Sequence, residues 1–81
     1  MKKFEYFEYG EFLTTYRIVP AFMSDGVRVF RKKEYEKDEI WAFNERVFES
    51  EEQAEAEIAR RLNLHIKLGK IDSYTVKEDK R

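Results

Sequence analysis

Residues 50–69 form the one long stretch with helical period, a start signal and a stop signal, and whatever else the chain builds must pack against it. Ser50 with Gln53 three positions on is a capping-box pair, a hydroxyl and an amide that satisfy free backbone N–H groups at a helix start. Glu51, Glu52, Glu55 and Glu57 crowd the first half and Arg60, Arg61 and Lys67 the second, the order a helix macrodipole favours. Glu57 and Arg61 stand at the i,i+4 spacing of a well-oriented ion pair. Ala54, Ile58, Leu62 and Ile66 recur every four residues beside Ala59 and His65, so they make one apolar stripe. Gly69 supplies the left-handed residue that ends such a helix. About 18 residues at ~1.5 Å rise give a rod of roughly 27 Å, long enough to lie across four or five strands. A competing reading ends the helix near Asn63 and turns Leu64, Ile66 and Leu68 into a strand.

The strands come from the remaining segments. Phe4, Tyr6, Phe7 and Tyr9 lead to Gly10-Glu11, read as a two-residue type II′ turn, with Phe12 to Val19 returning. Asp25-Gly26, between Ser24 and Val27-Arg28-Val29-Phe30, is the strongest hairpin signal, because a type I′ turn needs positive φ at both positions. Pro20 argues against that tight register, since it cannot donate to a ladder, and points to a break nearby. Glu36-Lys37-Asp38 marks a third reversal. Ile40-Trp41-Ala42-Phe43 reads as a fourth strand, either continuing through Val47-Phe48 or breaking at Asn44-Glu45. Ile71 to Val76 reads as a final strand, and residues 77–81 as a charged, frayed tail. The expected fold is therefore α+β: an antiparallel meander of about four strands, one amphipathic helix packed on one face, and a last strand.

Residues 1–81 are expected to form a single domain, since halves would fall below the ~40 residues at which a chain folds alone with difficulty. There is no cysteine, which removes disulfides and thiolate metal sites and fits a cytoplasmic location. No apolar run approaches the ~18 residues of a membrane span, and the start of the sequence does not resemble a signal peptide, so no membrane association is expected. Seventeen acidic residues against 16 basic ones leave a net charge of -1, with no overall field toward nucleic acid or anionic lipid. Although 41% of residues are charged, the 16% aromatic content supplies enough surface to bury for the chain to fold.

Counting back from the two-residue turns puts Phe7, Tyr9, Phe12, Tyr16 and Ile18 on one face, with Phe4, Tyr6, Leu13 and Val19 on the other. The second count pairs Phe22 with Val29, Ile18 with Lys33 and Tyr16 with Tyr35. Both faces thus carry large apolar groups, and one helix shelters only one face. The uncovered aromatics would form a patch of binding size. The alternative is a strongly twisted sheet that closes partly on itself and absorbs both sets.

Chemistry-bearing constellations are missing. His65 is the only histidine and has no acidic residue three or four positions away, so it reads as structural. Ser24, Ser50 and Ser73 read as turn, cap and strand residues, which leaves no triad. Glu49, Glu51, Glu52 and Glu55 read as dipole-compensating charges, not metal ligands. Three glycines, each assigned to a turn or cap, leave none for a phosphate loop. The expectation is a non-enzyme without cofactor, metal or small-molecule ligand: an adaptor or inhibitor that binds a protein partner, or a second copy of itself, through Phe4, Tyr6, Arg17, Phe30 and Trp41, with Phe43 and Arg28 as further anchors. The alternative is a nucleic-acid-binding domain in which Arg28, Arg31, Lys32 and Lys33 contact phosphates while Phe30 or Tyr35 stacks on a base.

Overall fold

Hydrophobic alternation along three consecutive strands builds the sheet, and the computed structural model describes residues 1–80. Strands β1 (Lys2–Glu8), β2 (Phe12–Pro20), β3 (Val27–Lys33) and β4 (Ile40–Trp41) form an antiparallel meander. Helix α1 (Glu51–Lys67) follows, and β5 (Thr75–Glu78) then pairs antiparallel with β1, for a strand order β4-β3-β2-β1-β5. Among the described residues, five antiparallel strands and one α-helix make the α+β fold expected from the sequence.

Helix α1 begins and ends where its signals lie. Ser50 Oγ accepts the Gln53 N–H at 3.2 Å, and Gln53 Oε1 accepts the Glu49 N–H at 3.2 Å, so the capping amide reaches one residue further back than a strict capping box. At the other end Gly69 is left-handed, φ 75°, and its N–H bonds the Ile66 carbonyl. The helix therefore runs past Asn63, and Leu64 and Ile66 are helical. Glu57 pairs with Arg60, bidentate at 2.7 and 2.8 Å, instead of Arg61, whose guanidinium lies 4.4 Å from the Phe43 ring centroid.

Ala54, Ile58 and Leu62 are fully buried against Phe4, Tyr6, Tyr16, Ile18, Val27 and Val29 of the sheet, with Ala42, Phe48 and Ile71 closing the margins. Each large aliphatic or aromatic group removed from water there contributes about 1.5–3 kcal/mol. This face differs from the expected one because the first turn holds three residues. Glu8 pairs with Phe12, and Tyr9 and Gly10 both adopt positive φ. A slip of one residue exchanges the two faces of a strand. It moves Phe4 and Tyr6 under the helix, opposite Tyr16 and Thr14, and turns Phe7 to the other side.

The second turn also differs. Pro20 pairs with Val27 as the end of β2, so residues 21–26 form a six-residue loop in place of the two-residue Asp25-Gly26 turn. The pairings Ile18–Val29 and Tyr16–Arg31 replace Ile18–Lys33 and Tyr16–Tyr35. This shift is even, so the assignment of faces on β2 and β3 is preserved. The break foreseen at Pro20 is where the ladder stops.

The segment after β4 leaves the edge of β3 and rejoins it. Ala42 N–H bonds the Val29 carbonyl at 2.8 Å, and Phe48 exchanges two hydrogen bonds with Val27 at 2.8 and 2.9 Å. Between them Phe43, Asn44 and Glu45 all have positive φ, a left-handed turn that tucks Phe43 against Tyr16 and Phe48. Strand β5 starts four residues later than expected, with Ile71 buried in the core and Lys77 and Glu78 paired with Lys3 and Lys2 in the ladder. Residues 77 and 78 are thus not frayed, and Asp79 N–H reaches the Met1 carbonyl at 2.6 Å. Arg81, the end of the expected tail, lies outside the described residues. No helix among the described residues is long and apolar enough to cross a membrane.

Candidate functional site

The face of the sheet turned away from α1 is read directly from the register. Lys77 pairs with Lys3, Lys3 with Arg17, Arg17 with Phe30 and Phe30 with Trp41, so one row of five side chains crosses all five strands. A second row holds Thr75, Glu5, Thr15 and Lys32, and Val19 lies opposite Arg28 nearer the 21–26 loop. The rings of Phe30 and Trp41 stack with centroids 3.8 Å apart and planes 17° from parallel. Arg17 lies on the β2 side of Phe30, its guanidinium carbon 5.4 Å from the ring centroid, and Arg28 stands 5.0 Å from the Trp41 ring centroid. Two cations and two stacked rings therefore cluster across β2, β3 and the edge strand β4 on the open face, each partly exposed.

Arg17 is held by more than its ring contact. Its Nε and Nη2 donate to the two Glu39 carboxylate oxygens at 2.9 and 2.7 Å, and its Nη1 lies 3.8 Å from Asp79 Oδ2. The Glu39 hydrogen bonds push its pKa up from the ordinary arginine value, so the cation is firmly retained. Beside it a shallow hollow of about 290 Å³ runs between Lys3, Thr15, Lys32 and Glu34. Arg28 Nε is shielded from solvent and makes no hydrogen bond among the described residues. Comparison with known protein families, curated proteins and solved structures finds no match.

Of the five residues expected to bind a partner, Arg17, Phe30 and Trp41 come together in the central row. Phe4 and Tyr6 do not: they are 3% and 4% exposed in the core, because the three-residue turn places them under α1. Burial pushes the Tyr6 phenol well above the ordinary tyrosine range, with the neighbouring Tyr16 and Glu8 adding to it. The four basic residues of the nucleic-acid reading are divided. Arg28 and Lys32 lie on the open face, whereas Arg31 and Lys33 point to the helix side, 3.7 Å from Glu36 and 3.3 Å from Glu8 respectively.

Outside this face lies a second hollow, of about 450 Å³, between the 9–11 turn and the end of α1, lined by Tyr6, Glu8, Tyr9, His65, Lys70 and Ile71. Partial burial, followed by the charges of Lys70 and Arg61, holds the His65 pKa below its ordinary value. Among the described residues no group of three or more His, Asp and Glu side chains is placed to bind a metal ion. At the opposite pole, Phe22 and Met23 are 88% and 90% exposed at the tip of the 21–26 loop, and Met23 has φ 57°. Sequence reasoning paired Phe22 with Val29 as a strand residue. Two large apolar residues caught between Pro20 and Ser24-Asp25-Gly26 were the signal of a projecting tip, once Pro20 is taken to end the strand.

Proposed function

We propose that this chain is a small non-enzymatic interaction module, an adaptor or inhibitor, that docks a protein partner on its open sheet face. The observation that carries the proposal is the Phe30–Trp41 stack flanked by Arg17 and Arg28, left partly exposed toward the β4 edge of a face the helix does not cover. Trp and Arg are the side chains that most often dominate interface energetics. Here the ring stack and the Arg17–Glu39 fork hold them in place beforehand, which lowers the ordering cost of binding. Arg17 is matched by Glu39 and Lys77 lies 2.8 Å from Glu5, so Lys3, Arg28 and Lys32 are the cations that fit carboxylates at the rim of a partner with an apolar centre. The test is affinity capture from the source cells with wild type, Trp41→Ser, Arg28→Glu and, as a control on the outer helix face, Arg60→Glu. A partner retained by the control and lost by both open-face variants supports the proposal. A partner bound equally by all four overturns it.

The alternation of Arg28, Phe30 and Lys32 on the open face favours a second reading, binding of single-stranded nucleic acid. It is the weaker one, because Phe30 is already flanked by Trp41 on one side and Arg17 on the other, and Tyr35, the other ring expected to stack, packs edge-on with Phe12. Titration of labelled mixed-sequence oligonucleotides decides it: affinity that falls steeply with salt, with a slope reduced by Arg28→Ala and Lys32→Ala, supports this reading. A flat response ends it.

A further inference from the structure

The two poles of the molecule differ: one carries an apolar projection and the other a hollow. Phe22 and Met23 project from one pole almost wholly exposed. Their loop is anchored: Ala21 N–H bonds the Gly26 carbonyl at 2.9 Å, Gly26 N–H bonds Ser24 Oγ at 3.2 Å, and Gly26 packs against Val47 and the Phe48 carbonyl. A knob that is both apolar and fixed at its root is suited to a concave receptor. The other pole has one, the hollow of about 450 Å³ walled by Tyr6, Glu8, Tyr9, His65 and Ile71, with Lys70 at its rim and the Glu8 carboxylate matched by Lys33 at 3.3 Å. That volume is within the ~300–1,000 Å³ range of pockets that hold ligands. Nine residues of β2 separate the two poles, a span of about 30 Å at ~3.3 Å per residue.

Charge follows the same axis because α1 runs from one pole to the other. Its acidic start, Glu49, Glu51 and Glu52, lies with Asp25 at the knob, and Lys67 and Lys70 lie at the hollow. We infer that copies of this chain associate head to tail, Phe22 and Met23 of one copy seated in the hollow of the next with Asp25 facing Lys70. Such a contact is heterologous, so it builds open chains or rings and not a two-fold dimer. Acidic residues around the knob oppose the other use of an apolar tip, insertion into a membrane carrying anionic lipid, for which basic flanks are the rule. The contact is small, of the class burying less than ~1,200 Å², and belongs to weak and reversible association.

Sedimentation velocity on the full chain, from about 10 µM to about 1 mM, covers the range in which small interfaces dissociate. Wild type is expected to show a weight-average mass that rises with concentration past the dimer. Phe22→Ser with Met23→Ser removes the knob, and Tyr9→Asn with Lys70→Glu spoils the hollow; all four positions are exposed, and thermal melts and far-UV circular dichroism verify that each double variant is folded. Each alone should remain monomeric. An equimolar mixture should form a 1:1 dimer and nothing larger, because one intact knob and one intact hollow remain. A monomeric wild type at the highest concentration overturns the inference, as does association that survives loss of the knob. Association abolished by Trp41→Ser and untouched by the knob variant would place the contact on the open sheet face instead. Knob-dependent co-sedimentation with vesicles by a chain that stays monomeric would assign the tip to lipid, and the inference fails.

Discussion

The indole of Trp41 lies flat on the ring of Phe30, 3.8 Å between centroids, on the uncovered side of the sheet. A pair stacked so closely between neighbouring strands contributes beyond its buried area, by about 0.5–1.5 kcal/mol. A double-mutant cycle with Phe30→Leu and Trp41→Leu, followed by urea denaturation, should return a coupling energy in that range. Coupling near zero would mean that the rings do not hold each other and that the face is not ordered in advance of binding.

Phe4 sits in the core against Tyr74, with ring centroids 5.9 Å apart, and faces Tyr16 across β1 and β2. Phe4→Ala should lower unfolding free energy by about 3–5 kcal/mol, the cost of emptying an aromatic site in a packed interior. A loss below about 1 kcal/mol, the scale of a surface substitution, would restore Phe4 to the list of surface anchors.

Gly26 has no unusual φ but no room either: a Cβ there would run into the Phe48 carbonyl oxygen and Val47 Cγ1. Because one obstacle is backbone, Gly26→Ala is expected to cost about 1–3 kcal/mol by overpacking and to loosen the root of the Phe22–Met23 loop. Chemical denaturation checks the first effect, and amide exchange at Val27 and Phe48 the second.

The left-handed turn at 43–45 places Glu45 at φ 63°. An L-residue there carries about 1–2 kcal/mol of strain that glycine avoids, partly offset by the freedom glycine has when unfolded. Glu45→Gly should therefore stabilise the protein by up to about 1 kcal/mol, measured as a higher denaturation midpoint at unchanged slope. Destabilisation would show that the Glu45 side chain is needed at this turn.

Two groups set the expected pH limits. His65 has its pKa depressed in the folded state, so the unfolded chain binds the proton more readily below the ordinary histidine value of ~6.5. Its contribution is complete above that pH and is lost as pH falls through the depressed value; His65→Gln should flatten this acid limb. Tyr6 is the reverse case: its raised pKa keeps the phenol neutral when folded, so stability is complete below the ordinary ~10 and declines above it. Tyr6→Phe should remove that alkaline dependence. Unchanged pH profiles in these variants would refute both assignments.

The helix was legible almost to the residue, because Ser50, Gln53, the four-residue apolar repeat and Gly69 all act locally. The strands were legible in kind, since alternation survives whatever they pair with. Register was not. Gly10 invites a two-residue turn, but the chain uses Tyr9 in a left-handed conformation as well, a choice made by the need to bury Phe4 and Tyr6 under α1 and invisible in the turn residues. The same slip explains why two proposed anchors, Phe4 and Tyr6, lie in the core, whereas Arg17, Phe30 and Trp41, on strands it does not displace, lie on the uncovered face. The imbalance between one helix and two apolar sheet faces survives in moderated form, because Arg17 and Arg28 lie over the rings that the helix leaves bare. Phe43 escaped notice as a core residue because three consecutive positive φ values are disfavoured locally and are held by the packing of its ring and by the Glu45 and Arg46 N–H bonds to the Ala42 and Phe43 carbonyls.

The pairing of Lys2 with Glu78 carries a cost during biosynthesis. While the ribosome is still adding residues, β1 has β2 on one flank and nothing on the other, and its bare backbone groups stay available to any passing extended segment until β5 emerges to seal them. Lys2, Lys3, Glu5 and Glu8, four charges in a seven-residue strand, are what keeps that flank from sticking to a neighbouring nascent chain in the interval.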